Sequence, residues 1–187
     1  QDPMTRLNPL MTVGGHLLDT FAAHRPAMRS RERKDRAESL LEQVGIGAER
    51  FRAYPHEFSG GMRQRLAIAL AIALAPPLVI ADEPTTSLDV AVAGQVMAVL
   101  RDLCEELGSA LLLITHDLAM ANRWCEDMAV LDGGRLVEQN SSAQVLTHPQ
   151  SGIAKRLVTA ARAREGGNTP ETPDGTAVLQ VEGLRCW

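Results

Sequence analysis

A short apolar run that ends in two adjacent carboxylates decides the fold: residues 78–89 read LVIADEPTTSLD. The run itself suits a buried β-strand. Asp82 and Glu83 at its end need a cation, a hydrogen-bond donor or water, because a dry, unpaired carboxylate is costly. Pro84 and the polar residues after it indicate a turn. We therefore expect a strand whose carboxyl end presents two acids to a partner outside this stretch.

The segments that follow this strand indicate an α/β fold. Residues 110–115 read ALLLIT, a second nearly all-apolar run, and residues 90–107 between the two runs have the pattern of a helix that Gly108 ends. Strand, helix and strand without alternation of apolar and polar residues predict a buried parallel sheet. Residues 128–138, MAVLDGGRLVE, predict a hairpin about the Asp-Gly-Gly turn.

Helices are predicted before and after these strands in the sequence. Apolar residues recur every three or four positions in two early segments, and the run MRQRLAIALAIALA consists of strong helix formers that follow a serine and two glycines. Ser59 is the expected start of that third helix. The predicted helices are Leu10–His24, Arg31–Val44, the segment from Ser59 to the proline pair 76–77, Ser142–Leu146 and Gly152–Arg164.

The composition limits the function classes. The 187 residues are 45% hydrophobic, as in a globular core, and 19 basic against 23 acidic residues give a net charge of -4. This balance argues against a general nucleic-acid binder, because phosphate affinity depends mainly on Lys and Arg. The three cysteines are widely spaced, so neither a disulfide framework nor a zinc site is supported. The longest apolar stretch, residues 66–81, is broken by two prolines and is too short to span a bilayer.

Three further motifs accompany the acidic strand end. FSGGMRQR occupies residues 58–65, SLD residues 87–89, and ITHD residues 114–117. In this order and at these spacings, the four elements resemble the signature sequence, Walker B strand, D-loop and H-loop of ATP-binding cassette (ABC) ATPases. The resemblance implies a P-loop NTPase-like α/β fold, with a helical subdomain followed by the later part of the parallel-sheet core.

The resemblance assigns roles to the residues at the strand ends. It implies that Asp82 binds Mg²⁺, usually through water, and that Glu83 polarises the water that attacks the γ-phosphate of ATP. It implies that His116 contacts the γ-phosphate and links it to the catalytic carboxylate; a lone histidine is more often structural. Because successive strand residues point to opposite sides, the two acids can serve different functions.

The glycine-rich segment before the strand is a predicted anion site. Ser59, Gly60 and Gly61 open a long helix, whose unsatisfied N–H groups and positive dipole end favour an anion. The resemblance implies that this segment, with Met62, faces the nucleotide held by an opposite subunit. A serine N-cap with a flexible turn is the alternative interpretation. Asp89 resembles the loop residue that crosses the dimer interface, and its alternative role is N-cap of the next helix.

The first residues resemble another motif of the family. QDPMTRLNP begins at Gln1 and resembles the Q-loop, in which a glutamine senses Mg²⁺ and the attacking water. QDPM followed by LNP, Met62 after SGG, and the run ADEPTT resemble the importer ATPases for oligopeptides, dipeptides and nickel. Arg6 and Ser87 replace a common serine and a common alanine, so neither residue strengthens the assignment of a substrate.

One motif of a complete nucleotide site is absent from the sequence. No G-x-x-x-x-G-K-[ST] occurs; this P-loop holds phosphates with its backbone N–H groups and lysine. We therefore expect a fragment whose parent hydrolyses ATP and which is inactive alone. Its expected parts are residues 1–75 (Q-loop, helical subdomain and signature helix), 76–164 (Walker B to H-loop core and C-terminal helices), 165–176 (linker) and 177–187 (start of a second cassette).

The resemblance implies a nucleotide-binding subunit that couples ATP hydrolysis to solute import, with peptide-like solutes favoured. Its implied partners are transmembrane permease subunits, a second cassette in a head-to-tail arrangement and, indirectly, an external solute-binding protein. Its implied location is peripheral, at the cytoplasmic side of the inner cell membrane. The alternatives are a soluble ABC-type ATPase acting on DNA, chromosomes or ribosomes, and a noncatalytic interaction module.

A basic cluster early in the chain is interpreted as a solvated helix face. A nucleic-acid site is the alternative, but no aromatic residue is interleaved with the cluster to stack on bases. Nucleic acid is therefore not an expected partner. The cluster consists of Arg29, Arg31, Arg33, Lys34 and Arg36.

Overall fold

The computed structural model describes residues 7–165. Gln1, the segment 177–187 and all of the expected linker except Glu165 lie outside this range. No helix within residues 7–165 has the length and apolar character needed to cross a bilayer. The elements are α1 (Val13–His24), α2 (Ser30–Gln43), 3₁₀ helices at Ala48–Arg52 and Pro55–Glu57, α3 (Gly60–Ile72), β1 (Leu78–Asp82), α4 (Val90–Leu107), β2 (Ala110–Ile114), α5 (Leu118–Trp124), β3 (Asp127–Asp132), β4 (Arg135–Ser141), α6 (Ser142–Thr147) and α7 (Gly152–Glu165).

The described residues form two compact units. The first contains the residues up to His116 together with residues 123–125, and the second contains residues 117–122 and those from Glu126 onward. The boundaries expected at residues 75/76, 164/165 and 176/177 stay predictions.

The first unit begins with two helices that pack on a 3₁₀ helix. The Thr12 hydroxyl accepts a hydrogen bond from the Gly15 N–H at 3.1 Å, so α1 begins at Val13 rather than at the predicted Leu10. Phe21 is fully buried with side chains from α2. A side chain at Gly14 would overlap the ring of Phe51, so glycine is required for this close approach.

Helices α3 and α4 follow the predicted pattern at their ends. Ser59 is the N-cap of α3, as predicted, although the helix ends at Ile72 before reaching the proline pair. Gly108 ends α4 with a φ of 65°, a left-handed conformation that glycine adopts without strain. The interior residues of α4, among them Met97 and Leu100, are fully buried or nearly so.

Strands β1 and β2 pair in parallel, as predicted, but their sheet is covered on one face only within the described residues. Val79 is 5% exposed, whereas Ile80 beside it is 59% exposed. The exposed face also carries Leu78, Leu112 and Ile114. The prediction of a buried sheet is therefore wrong for this face. The reason is that α4 contacts the sheet, and no second layer is present in residues 7–165 to cover the other side.

The second unit is built on the predicted hairpin. Strands β3 and β4 pair antiparallel, and the turn glycines Gly133 and Gly134 both have positive φ angles, 53° and 75°. Met128, Val130, Val145 and Ala154 form its buried cluster. Helix α5 was not predicted from sequence.

A carboxylate of the hairpin fixes the start of α7. Glu138 accepts hydrogen bonds from the N–H groups of Gln150 at 3.0 Å and Ser151 at 2.8 Å. These backbone donors hold the pKa of the Glu138 carboxyl below its usual value. Because the pKa of Glu138 is lower in the folded than in the unfolded state, the ionised carboxylate stabilises the fold. This stabilisation is complete at pH values above the pKa of an unfolded glutamate, about 4.3. That stabilisation is lost as the pH falls through the lower pKa of the folded state.

We expect Glu138→Gln to lower the urea midpoint of the second unit at pH 7, because the new NH₂ group faces a backbone N–H. The difference from the wild type should disappear in acid, where Glu138 is protonated in both states. Glu126→Gln, at an exposed position of the same unit, is the matched control. A Glu138→Gln difference that stays constant down to acidic pH would contradict the assigned role.

Candidate functional site

The carboxyl ends of β1 and β2 bring the acidic pair and the histidine to one edge of the sheet. Parallel pairing sets Asp82 opposite Ile114. The Glu83 N–H then donates to the Ile114 carbonyl at 2.9 Å, which extends the pairing by one bond. His116 follows Ile114 by two residues, so both motifs leave the sheet side by side. The backbone register thus brings together two residues that are 33 positions apart.

One oxygen of Glu83 is held twice by His116. The His116 N–H donates to Glu83 Oε1 at 2.9 Å, and ring atom Nδ1 lies 2.7 Å from the same oxygen. Because an ionised carboxylate only accepts hydrogen bonds, Nδ1 must carry the proton. The Glu83 side chain is 29% exposed and the His116 side chain 77% exposed. The His116 ring, which carries Nε2, is therefore accessible to solvent and to ligands.

These contacts keep Glu83 ionised. Burial by itself would raise the pKa of the Glu83 carboxyl, but hydrogen bonds from the His116 side chain and backbone, and its nearby ring, outweigh burial and hold the pKa below its usual value. Thr86 adds a weak contact, since its hydroxyl lies 3.5 Å from Glu83 Oε2. The result is a carboxylate that is charged at neutral pH and whose second oxygen can accept another proton donor.

The backbone turns sharply at Glu83. Its φ is 48°, in the left-handed region that non-glycine residues seldom adopt, and Ser87 in the same loop has a φ of 70°. Strand β1 ends at Asp82, so the expected alternation of two strand residues does not apply to Glu83. The turn, rather than strand alternation, directs the Glu83 side chain. Strained residues of this kind cluster at functional sites.

The glycine-rich segment is held at the start of α3 and packs against α4. The Ser59 hydroxyl accepts from the Met62 N–H at 3.3 Å. A Cβ on Gly61 would lie 2.6 Å from Val92 Cγ1, and one on Gly60 would lie 3.3 Å from a Leu88 methyl group. The two helix starts therefore approach more closely than a side chain at position 61 would allow.

Asp89 lies at the start of α4, beside this contact. Its Oδ1 accepts from the Val92 N–H at 2.9 Å, which makes it the N-cap of α4. The fold thus brings the Ser59–Gly61 segment close to the Leu88–Asp89 turn. Within residues 7–165, no hydrogen bond or ion pair joins that segment to Glu83 or His116. The predicted site residues of the first unit therefore form two groups.

The acidic strand end suits a magnesium ion only in part. Asp82 offers carboxylate oxygens, which Mg²⁺ prefers, at the half-buried end of β1. No group of three or more His, Cys, Asp or Glu side chains that could hold a metal occurs in the described part of the chain. Mg²⁺ commonly uses one or two carboxylates together with the phosphates of a substrate, so one protein ligand fits that mode.

Three contacts at the site were not predicted from the sequence: Thr86 with Glu83, Leu88 with Gly60, and Val92 with Gly61. Thr86 stands three residues after Glu83, the spacing at which a turn folds back on itself, and this spacing was the available signal. No comparable signal existed for Val92, since nothing in the sequence shows that two helix starts meet.

Comparison with known proteins decides the family. The family described as ABC transporter matches residues 1–86. The chain is 40% identical to the peptidoglycan transport ATP-binding protein YejF of Agrobacterium fabrum, over 100% of this chain and 34% of the relative. It is 43% identical to the dipeptide transport ATP-binding protein DppD of Escherichia coli, over 86% of this chain and 49% of the relative.

The chain belongs to the ABC transporter family. Two solved structures agree with this fold. One is a dimeric ATP-binding cassette in a post-hydrolysis state bound to ADP and Pi, with a TM-score of 0.65, 31% identity, and coverage of 76% of this chain and 60% of that one. The other is part of an ABC transporter complex from Clostridium perfringens, with a TM-score of 0.69, 26% identity, and coverage of 88% and 64%.

The ABC family and the α/β cassette fold predicted from the sequence are thereby confirmed. The relatives named above are transport ATP-binding proteins, which does not support the alternative of a soluble ATPase acting on DNA, chromosomes or ribosomes. This chain spans about a third to about half of the length of the curated relatives that it matches, 34%, 54% and 51% for three of them. The roles of the individual site residues stay predictions.

We expect Gly61→Ala to lower the urea midpoint of the first unit. The added methyl group would meet a β-branched side chain with little freedom to move. Overpacking of this kind costs about 1–3 kcal/mol. In a Val92→Ala background the same change should become neutral or stabilising, because the new methyl group then has room and alanine is a better helix former than glycine.

Gly94→Ala is the matched control for this cycle. Gly94 lies inside α4, and a Cβ there meets nothing within 4 Å. Its replacement should stabilise the unit by about 0.5–1 kcal/mol in either background. The packing assignment is wrong if Gly61→Ala costs the same with Val92 present and absent.

Proposed function

We propose that the protein containing this chain hydrolyses ATP to import a peptide-like solute across a cell membrane. The names of the relatives support the transport assignment and the class of solute. One observation carries the hydrolytic part: the Glu83 carboxylate is held by His116 at the paired ends of two parallel strands. The Glu83 carboxylate is an ionised proton acceptor that lies next to Asp82 at the end of β1.

Each residue at this edge has a proposed task. Mg²⁺ with ATP, when bound, supplies the reacting phosphoryl group and the positive charge beside it. Asp82 would hold the ion through its carboxylate oxygens. Gln1, outside the described residues, is proposed from the resemblance to sense the ion and the attacking water. Glu83 would accept a proton from the attacking water through Oε2, since Oε1 is occupied by His116. Nε2 of the exposed His116 ring would donate a hydrogen bond to the γ-phosphate when both ring nitrogens carry a proton.

The second group of residues is proposed to serve a neighbouring cassette. Ser59, Gly60, Gly61 and Met62 open α3, where free N–H groups and the helix dipole favour phosphate. Asp89, beside them, would contribute to the interface between the cassettes. The resemblance to ABC ATPases supports a head-to-tail pair of cassettes, in which the two groups would act on different nucleotides.

The remaining partners follow from this proposal. ATP hydrolysis would be coupled to conformational changes of transmembrane permease subunits. An external solute-binding protein would deliver the solute to them. The second cassette would be part of the same polypeptide. The chain would then lie peripherally at the cytoplasmic side of the inner membrane.

In the full-length protein, we expect Glu83→Gln to lower ATP turnover about a hundredfold or more, the usual contribution of a general base. Nucleotide affinity should stay within a few fold, because Gln retains the size and one acceptor oxygen. The measurement is steady-state phosphate release, with the catalytic site of the other cassette disabled. Glu106→Gln, on the exposed side of α4, is the control and should leave turnover unchanged. Normal turnover of Glu83→Gln would refute the role of Glu83.

We expect the 187-residue chain by itself to bind Mg-ATP weakly. Its sequence lacks the glycine-rich loop and lysine that provide much of the phosphate affinity. Isothermal titration calorimetry with Mg-ATP tests this expectation. Micromolar affinity would contradict it, because the 187 residues would then already form a complete nucleotide site.

A further inference from the structure

The segment around the start of α2 has a charge opposite to that of the rest of the chain. Residues 25–38 include six basic and three acidic side chains, while all other residues together include 13 basic and 20 acidic ones. A local excess of positive charge on an acidic protein attracts anionic partners to one place.

The structure keeps this charge at the surface. Helix α2 buries Ala37, Leu40 and Leu41, so its charged residues occupy the opposite side. Arg33 Nη2 donates to the Pro26 carbonyl at 2.9 Å and to the Arg25 carbonyl at 3.4 Å. This guanidinium ties the preceding turn to the helix, so the basic residues of both segments are presented together. Those exposed are Arg25, Arg29, Arg31, Lys34 and Arg36.

Three arginines line an open concavity of about 530 Å³. Its lining consists of Arg29, Arg31, Arg36, Glu32, Asp35 and Ser39. Lys34 pairs with Glu38 at 3.5 Å, but none of the three arginines forms an ion pair within residues 7–165. Their donors are therefore available to an external acceptor, and a guanidinium is suited to bidentate contact with phosphate.

We propose that this concavity, the α2 basic surface, binds the phosphate-bearing headgroups of anionic phospholipids at a membrane surface. A cluster of four or more basic residues is typical of such contacts. Each basic residue near an anionic surface strengthens binding roughly fivefold. This surface lies on the exposed side of α2, and its binding to lipid does not depend on ATP hydrolysis.

A bilayer fits this surface better than a nucleic acid does. Residues 22–50 include no Phe, Tyr or Trp, so the surface lacks the aromatic platforms on which single-stranded bases stack. Glu32 and Asp35 in the lining would oppose a fixed row of phosphates. Lipid headgroups move laterally in the bilayer, so they can collect at the arginines and avoid the two acids.

The test is flotation of the 187-residue chain with phosphatidylcholine vesicles, with and without phosphatidylglycerol. The chain should float only with phosphatidylglycerol, and binding should weaken as salt is raised. The combined change Arg29→Gln, Arg31→Gln, Arg36→Gln should reduce vesicle partitioning about a hundredfold, three roughly fivefold steps. The combined change Arg135→Gln, Lys155→Gln, Arg156→Gln removes equal charge from exposed positions of the second unit and should reduce it much less.

A charge-retaining variant separates binding from folding. The combined change to Lys at positions 29, 31 and 36 should keep most of the partitioning, and circular dichroism should show equal helix content in all variants. Equal losses in the two Gln variants would overturn the location of the site, and equal flotation without phosphatidylglycerol would overturn the anionic lipid. Displacement by inorganic phosphate at matched ionic strength would overturn the bilayer in favour of free phosphate. Binding of an oligonucleotide by a chain that does not float would overturn it in favour of nucleic acid.

Discussion

The register between β1 and β2 is the constraint on which the candidate site depends. Asp82 lies opposite Ile114, and the Glu83 N–H adds one more bond to the Ile114 carbonyl. Residues that are distant in the chain therefore leave the sheet at the same edge. A shift of one residue would turn the side chains of β2 to the other face and move His116 away from Glu83. The hydrogen bonds between these two side chains form on a geometry that backbone pairing has already set.

The two adjacent acids, Asp82 and Glu83, differ in what stabilises their charge. The family resemblance implies a partner outside the chain for each acid, Mg²⁺ for Asp82 and the attacking water for Glu83, whereas the structure gives Glu83 its own donors in the backbone and ring of His116. Those donors explain why a partly buried carboxyl keeps a depressed pKa without any ligand. Asp82, at the last position of the strand, retains the oxygen chemistry that suits Mg²⁺. The two acids can thus have separate roles although they are adjacent.

Gly60 and Gly61 allow the starts of α3 and α4 to pack closely, in addition to any role in binding an anion. An anion site explains why the backbone at a helix start should be accessible. The close approach of position 61 to Val92 is an independent reason why a side chain there would disturb the packing. Both reasons act on the same residue, so a substitution at Gly61 changes helix packing even when no nucleotide is present.

The sequence was enough to predict the helix start at Ser59, the end of α4 at Gly108, the Asp-Gly-Gly hairpin and the parallel pairing of β1 with β2, and it offered the N-cap as the alternative role of Asp89. The caps, the helix end and the turn each depend on one residue type or on a few neighbours, and the parallel pairing follows from the strand–helix–strand order. The tertiary structure alone decided that Glu83 turns out of the strand, that His116 holds one of its oxygens, that Val92 lies against Gly61 and that one face of the sheet stays exposed. These features join residues far apart in the chain, and no local propensity specifies which distant atoms will meet.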